Sequence, residues 1–567
     1  MSGRGRPTAG GLLDRLERDV NVYGAGAADR KLAALGGLEG RAFRRRADLL
    51  RFHEALCFLR AYPDDLRVRR RVERLLRGFR HRRDVRRLRR SLRNTGVAGT
   101  EIRFRFFWPT ARWLVHRWPD CLRVDWPEFV HRESLPEILP VLLPYCETLG
   151  LDEVANTARE WVDLLRGPEE TDAAFLVRRF EALRADTFGR ERLYDTLDPP
   201  LRLEPGADLP GRGEEAYRKA PRSFQEGPLI RARPDLSRDV KVPPGSVVRV
   251  RGRGARELID LARLAMINRN RDLDAFAYAD PDDVRLVDCG DGLAFACYGL
   301  LPERRLLLES SYGFLTLKNG VPVGYVLISA LFESAAIAYN VFDTFRGGEA
   351  ARTYGRVVAM AYQLFGARSF SVDPFQLGHG NPEGLESGAW WFYYKLGFRP
   401  VDPGVRKVLH VELRAMRRDP RHRSSQATLR KLVVDDLYFH AGRERRDVLG
   451  RIPIGQIGLA ISRYLARRFG SARERGVRTC VAEAAALLGA GPLRRLPRRE
   501  RLAWERWGPL IRVLPGVEAW SAAERSAAAA VIFAKGGRQE SDFVRRFDGH
   551  RRLREAVLRL ARAAGAG

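Results

Sequence analysis

The six cysteines form no C-x-x-C pair, and the nine histidines show neither H-x-x-x-H nor H-E-x-x-H spacing. Neither a zinc site nor a disulfide framework is suggested, which leaves reduced, buried thiols at Cys57, Cys121, Cys146, Cys289, Cys297 and Cys480. Long apolar runs are missing too. Met1 to Val20 holds none of signal-peptide length. The longest apolar region, Tyr325 to Phe342, is broken by Glu333 and Asn340 and reads as two strands rather than a span. These absences predict a cytoplasmic chain with no metal and no membrane segment. Lysine is also sparse, appearing at a few places such as Lys318, Lys395 and Lys431.

What is abundant is arginine. The net charge of +30 looks like a nucleic-acid signature. A chain rich in Arg, Ala and Gly but poor in Lys is also what a GC-rich coding sequence yields by drift. The densest basic run, Arg67 to Arg93, has two readings. It offers a phosphate-binding footprint for a nucleic-acid partner, or a solvated helix face with local Asp and Glu partners. Its own apolar stripe of Leu75, Leu76, Phe79, Leu88 and Leu92 favours the second. The aromatic segment Phe104 to Trp126 divides similarly, into a base-stacking surface or the core of a small domain.

With 567 residues, 45% of them apolar and 30% charged, roughly three or four globular domains are expected. The patterns divide the chain into a flexible Gly/Ala/Arg-rich segment, 1–40, and a mainly helical domain, 41–198. A Pro/Gly/Arg-rich connection, 199–250, leads to a central domain, 251–420, and a helical Arg-rich region, 421–567, closes the chain. The expected fold class is α+β: a mixed central sheet with flanking helices between two mainly helical regions.

The central pattern is the informative one. Tyr312–Leu317 and Val321–Leu331 flank Lys318-Asn319-Gly320, and Asn-Gly between apolar runs signals a tight hairpin. A turn at Glu333-Ser334 leads to a third strand, Ala336–Phe342, completing an antiparallel meander. A helix follows from Ala350 to Phe365, with Gly366 as its stop. Ser369–Val372 is a further strand, expected parallel to Ala336–Phe342 because a crossover helix joins them. A second amphipathic helix carries Leu385, Ala389, Phe392, Tyr393 and Leu396, and Phe398–Val401 and Val408–Leu413 are expected to close the sheet.

The order of these elements resembles the GNAT superfamily of N-acyltransferases, and two strings carry the resemblance. Val341 to Ala351, V-F-D-T-F-R-G-G-E-A-A, matches the Q/R-x-x-G-x-G/A loop with Arg346 first, Gly347 at the common second glycine and Ala351 last; Glu349 replaces the middle glycine. The later A-x-x-x-Y-x-K-L-G-F pattern is met by Ala389, Tyr393, Lys395, Leu396, Gly397 and Phe398. The frequent asparagine seven residues before that tyrosine is Glu386. The fold-level resemblance covers about residues 250–415, and its specific residues about 340–400.

The resemblance implies transfer of an acyl group from acetyl-CoA, or another acyl-CoA, to an unidentified amine by direct attack. Phe342, Thr344, Arg346, Gly347, Gly348, Ala350 and Ala351 would hold the donor, with its phosphates at Arg346–Ala351. Tyr393, with Tyr394 as its neighbour, inherits protonation of the leaving thiolate. Glu333, Asp343, Asp373 and His379 are candidate bases because each lies at a strand end or in a turn facing the expected cleft; each also reads as an ordinary surface or turn residue. Two other functions stay open: a non-catalytic GNAT-fold scaffold, and a transferase or binder using an RNA-linked or carrier-protein donor.

Overall fold

The computed structural model describes residues 8–206 and 208–563. They form two compact units. The first runs to Leu229 and includes Arg256–Tyr278 and Leu317–Val323; the second comprises Ile230–Ala255, Ala279–Thr316 and the chain from Gly324 onward.

The first unit opens with helices Ala9–Asp19 and Ala27–Leu38, which bury Leu12, Leu13, Leu16, Leu35 and Leu38. From residue 8 the expected flexible segment is therefore folded, and residues 1–7 lie outside the described ones. Gly- and Ala-rich composition masked a leucine stripe sufficient to anchor both helices. In the arginine-rich helix Leu66–Arg77, Val68, Val72 and Leu76 point inward at four-residue spacing. Many of its neighbours are paired: Arg67 with Asp29 and Asp65, Arg69 with Glu73, Arg82 with Asp84, and Arg93 with Glu101. Much of the run is thus laced to nearby carboxylates.

Three short strands, β1 (Ile102–Phe104), β2 (Leu122–Val124) and β3 (Leu201–Leu203), form an antiparallel sheet in the order β1-β3-β2. The aromatic segment packs beside it, with Trp108 against Phe180 and Tyr194 in one apolar core. The expected 199–250 connection is split between the units. β3 and the following chain to Leu229 belong to the first, whereas Ile230–Val250 belongs to the second. Its glycines permit close approach rather than looseness: a Cβ on Gly213 would meet Leu76 at 2.8 Å.

The second unit is built on a nine-stranded mixed sheet. Its strands are β4 (Ser246–Val250), β5 (Ala279–Asp288), β6 (Leu293–Leu300), β7 (Ser310–Lys318), β8 (Val321–Leu331), β9 (Ser334–Val341), β10 (Ser369–Val372), β11 (Arg399–Pro400) and β12 (Leu437–His440). The spatial order is β11-β12-β10-β9-β8-β7-β6-β5-β4. β8 and β9 pair antiparallel, and β9 and β10 pair parallel, as the crossover helix required.

Two expectations fail at the far edge. Val408–Leu413 is not a strand but part of a helix, Pro403–Arg418, which Asp402 caps through the Val405 N–H. Its place in the sheet is taken by β12, which lies between β10 and β11 and pairs antiparallel with both. The region beyond 421 is likewise no separate body. Trp504, Trp507, Phe543 and Phe547 share the apolar core of the sheet, and Phe332 meets Phe547 at 4.9 Å between ring centres. Among the described residues no helix is long and apolar enough to cross a membrane. All six cysteines are free; Cys146 is exposed and Cys121 half-buried, against the expectation of burial.

Candidate functional site

Parallel strands place their C-terminal ends on one side of a sheet, where crossover loops gather and α/β ligand sites form. Here the parallel pairing is short. It joins Ser369 to Ser334, Phe370 to Ala335 and Ser371 to Ala336, while β9 runs on to Val341. Ala338–Val341 therefore lies beyond the parallel ladder, bordering the 342–351 loop.

That loop turns tightly. The Phe345 N–H donates to Phe342 O at 2.8 Å and the Gly348 N–H to Phe345 O at 2.9 Å, with Phe342 and Phe345 buried beneath. Thr344 lies within this turn, Gly347 is exposed and Gly348 is buried. The 16-residue helix Ala350–Phe365 starts immediately after, giving its positive dipole end to the loop. Ala350 and Ala351 form its first turn, and Ala350 O accepts the Tyr339 hydroxyl at 3.1 Å. Gly366 ends the helix at φ 71°.

Glu349, the residue in place of a glycine, is only 5% exposed. Its carboxylate does not cap the helix that it precedes. It accepts the Ile230 N–H at 3.1 Å and pairs with Arg352 at 3.1 Å. Arg231 donates to Gly347 O at 3.1 Å, so 230–231 lie against this loop. Arg346 is paired with Asp343 at 2.7 Å and with Glu383.

The candidate chemical groups are only partly brought together. Tyr393 is 3% exposed on the Ala389–Lys395 helix, and burial pushes its phenol well above the ordinary range, with Asp373 adding to the effect. Its ring meets Tyr354 at 5.4 Å, and Tyr354 meets Tyr339 at 5.3 Å, so three tyrosines form a column from β9 to that helix. Asp343, exposed, and His379, exposed in the Gly378-His379-Gly380 turn, follow the C-terminal ends of β9 and β10. Asp373 caps the short Pro374–Leu377 helix through the Gln376 N–H at 3.2 Å, ordinary turn chemistry.

Glu333 stands apart. It sits in the β8–β9 turn, at the start of β9, roughly 30 Å of extended strand from the 342–351 loop. Its carboxylate accepts from Arg445 at 2.8 Å and Arg554 at 3.2 Å. Phe332 and Glu333 both have positive φ, 51° and 53°, and Asp548 fixes the turn by accepting the Glu333 N–H at 3.0 Å. Tyr354, on the Ala350–Phe365 helix, has a fully buried hydroxyl that finds no hydrogen-bond partner among the described residues. It shares this with Tyr194 elsewhere in the chain, and no sequence signal separates it from an ordinary core tyrosine.

The chain matches no protein-family model, and no curated protein or solved structure matches it significantly.

Proposed function

We propose that the second unit is a GNAT-like N-acyltransferase, moving an acyl group from acetyl-CoA or another acyl-CoA to an amine. The observation that carries this reading is the early end of the β9–β10 ladder beside a glycine loop at a helix N-terminus. The amide arm of the donor would run along Ala338–Val341. Its pyrophosphate would rest on first-turn N–H groups that the Glu349 side chain leaves uncapped. The amine nitrogen attacks the thioester carbon, the C–N bond forms, the C–S bond breaks, and the thiolate takes a proton. Tyr393 is the donor for that proton, since burial keeps its phenol protonated. His379 or Asp343, at the same end of the strands, would accept the amine proton; Glu333 is too distant.

A second reading is a non-catalytic scaffold of the same shape. Arg346, already paired with two carboxylates, favours it. Titration calorimetry of acetyl-CoA into the full chain separates the two; an isolated 250–420 piece would lack most of β4 and all of β12. One saturable site, weakened tenfold or more by Arg346→Glu, supports the enzyme. Tyr393→Phe should then keep donor affinity and lower turnover at least tenfold in an amine screen. Absence of binding selects the scaffold, and unchanged turnover returns Tyr393 to the core.

A further inference from the structure

The first unit holds a cavity of about 550 Å³ that the acyltransfer reading does not use. Small-molecule sites span roughly 300–1,000 Å³. Its walls are arginine-rich: Arg60 and Arg69 are buried in them, and Arg77, Arg218 and Arg222 stand exposed around them.

These five guanidiniums do different work. Arg60 is consumed by the wall, donating to Gly213 O at 2.7 Å, Glu215 O at 2.8 Å and Glu214 O at 3.1 Å. Arg69 pairs with Glu73 at 3.0 Å. The other lining carboxylate, Glu214, is held by Arg80 at 2.6 Å. Among the described residues, Arg77 and Arg222 donate to main-chain oxygens, those of Glu73 and Arg218. No carboxylate partner is found for Arg77, Arg218 or Arg222 among the described residues. Positive charge is thus left over in a concave site, where low-dielectric walls concentrate its field. The half-buried Tyr217 gives one wall an aromatic surface.

The wall is also held rigidly. Asn319 Oδ1 accepts the Ser223 N–H at 2.7 Å, and Gly320 O accepts the Tyr217 N–H at 2.8 Å. Both anchors fall within the 217–223 segment that carries Arg218 and Arg222. Forked guanidiniums on a fixed frame suit tetrahedral oxyanions, each phosphate taking paired N–H donors.

We infer that this cavity binds a compact ligand carrying at least two phosphate groups, gripped by Arg77, Arg218 and Arg222 with any ring system against Tyr217. The test is titration calorimetry of tripolyphosphate and of ATP into the full chain, at low and at physiological salt. Saturable binding that weakens with salt, and falls tenfold or more in Arg218→Glu and in Arg222→Glu but not in Arg44→Glu, is expected. Tyr217→Ala should weaken ATP and spare tripolyphosphate. No saturation by either probe overturns the inference, as does equal weakening by Arg44→Glu, which would mean general electrostatics. Binding of a single-stranded RNA but of neither probe also overturns it. Because CoA carries phosphates itself, the Arg218→Glu protein doubles as a control: acetyl-CoA binding that survives there belongs to the second unit, not to this cavity.

Discussion

Replacing Asn319 with alanine tests the anchoring argument most directly. In most hairpins an Asn-Gly turn faces water, and its side chain can be removed at little cost. Here Asn319 is 2% exposed at φ 53°. Its Oδ1 holds the Ser223 N–H at 2.7 Å, and its Nδ2 donates to Ala61 O at 2.8 Å. Truncation strands one buried main-chain group, Ala61 O, and one half-buried one, the Ser223 N–H, at about 1–3 kcal/mol each with the second toward the lower end. Alanine also tolerates the left-handed conformation less well than asparagine, adding a fraction of the roughly 1–2 kcal/mol that this region costs. Allowing for relaxation, about 3–4 kcal/mol should be lost. At 1.4 kcal/mol per decade this lowers hydrogen-exchange protection of the Ser223 and Tyr217 amides roughly 10²–10³-fold. Polyphosphate affinity should fall with it, because the segment bearing Arg218 and Arg222 loosens. Gly320→Ala should act in the same direction, since a Cβ there would collide with Tyr217 O. A loss below about 1 kcal/mol in Asn319→Ala, with both amides still protected, would refute the reasoning.

Two further outcomes follow from buried charge in the second unit. Lys535 and Glu540 are paired at 2.5 Å with both side chains nearly inaccessible, so Glu540→Ala should cost about 3–5 kcal/mol by leaving an unpaired ammonium. A Lys535→Met, Glu540→Leu double variant should recover most of that in thermal unfolding. Asp548 is pushed up to about 7, chiefly by burial and then by nearby Glu333, against the Glu333 N–H and Arg445, which favour its charged form. The folded state therefore binds this proton more tightly than the unfolded state. Its contribution is full below about pH 4 and is lost as pH rises through about 7, on the order of 2–4 kcal/mol. Melting temperatures from pH 4 to 8 should decline less steeply in Asp548→Asn; an unchanged slope would discount the group.

How much was legible depended on whether a signal was local. The Asn319-Gly320 turn, the Ala350–Phe365 helix, Gly366 and the parallel β10 were readable because turn chemistry, periodicity and crossover handedness act over a few residues. The burial of that same turn was not, since Asn-Gly looks identical in water and in a core. Val408–Leu413 misled because Val408, Leu409, Val411 and Leu413 read as a short apolar run, whereas only Leu409 of them is buried on the inner face of a helix whose signals, Asp402 and Pro403, sit upstream. β12 has four residues and acquires its strand character from two neighbours distant in sequence. Around the candidate site, both matched strings were visible, and so was the length of strand that separates Glu333 from the loop; the anchoring of Glu349 by Ile230 is a product of tertiary folding.

The placement of β12 has a consequence for how the chain is made. Until residue 440 has left the ribosome, β10 has no partner on its outer side and presents an open row of main-chain donors and acceptors. At about 5–20 residues per second, synthesis from the end of β10 to the end of β12 takes roughly 3–14 s. During that interval the nascent sheet ends in a sticky border, and β11, made in between, has nothing to pair with. Truncation anywhere before Leu437 would make that transient border permanent and would also remove Trp504, Trp507, Phe543 and Phe547 from the core behind it, so self-association of an incompletely packed sheet would be its symptom.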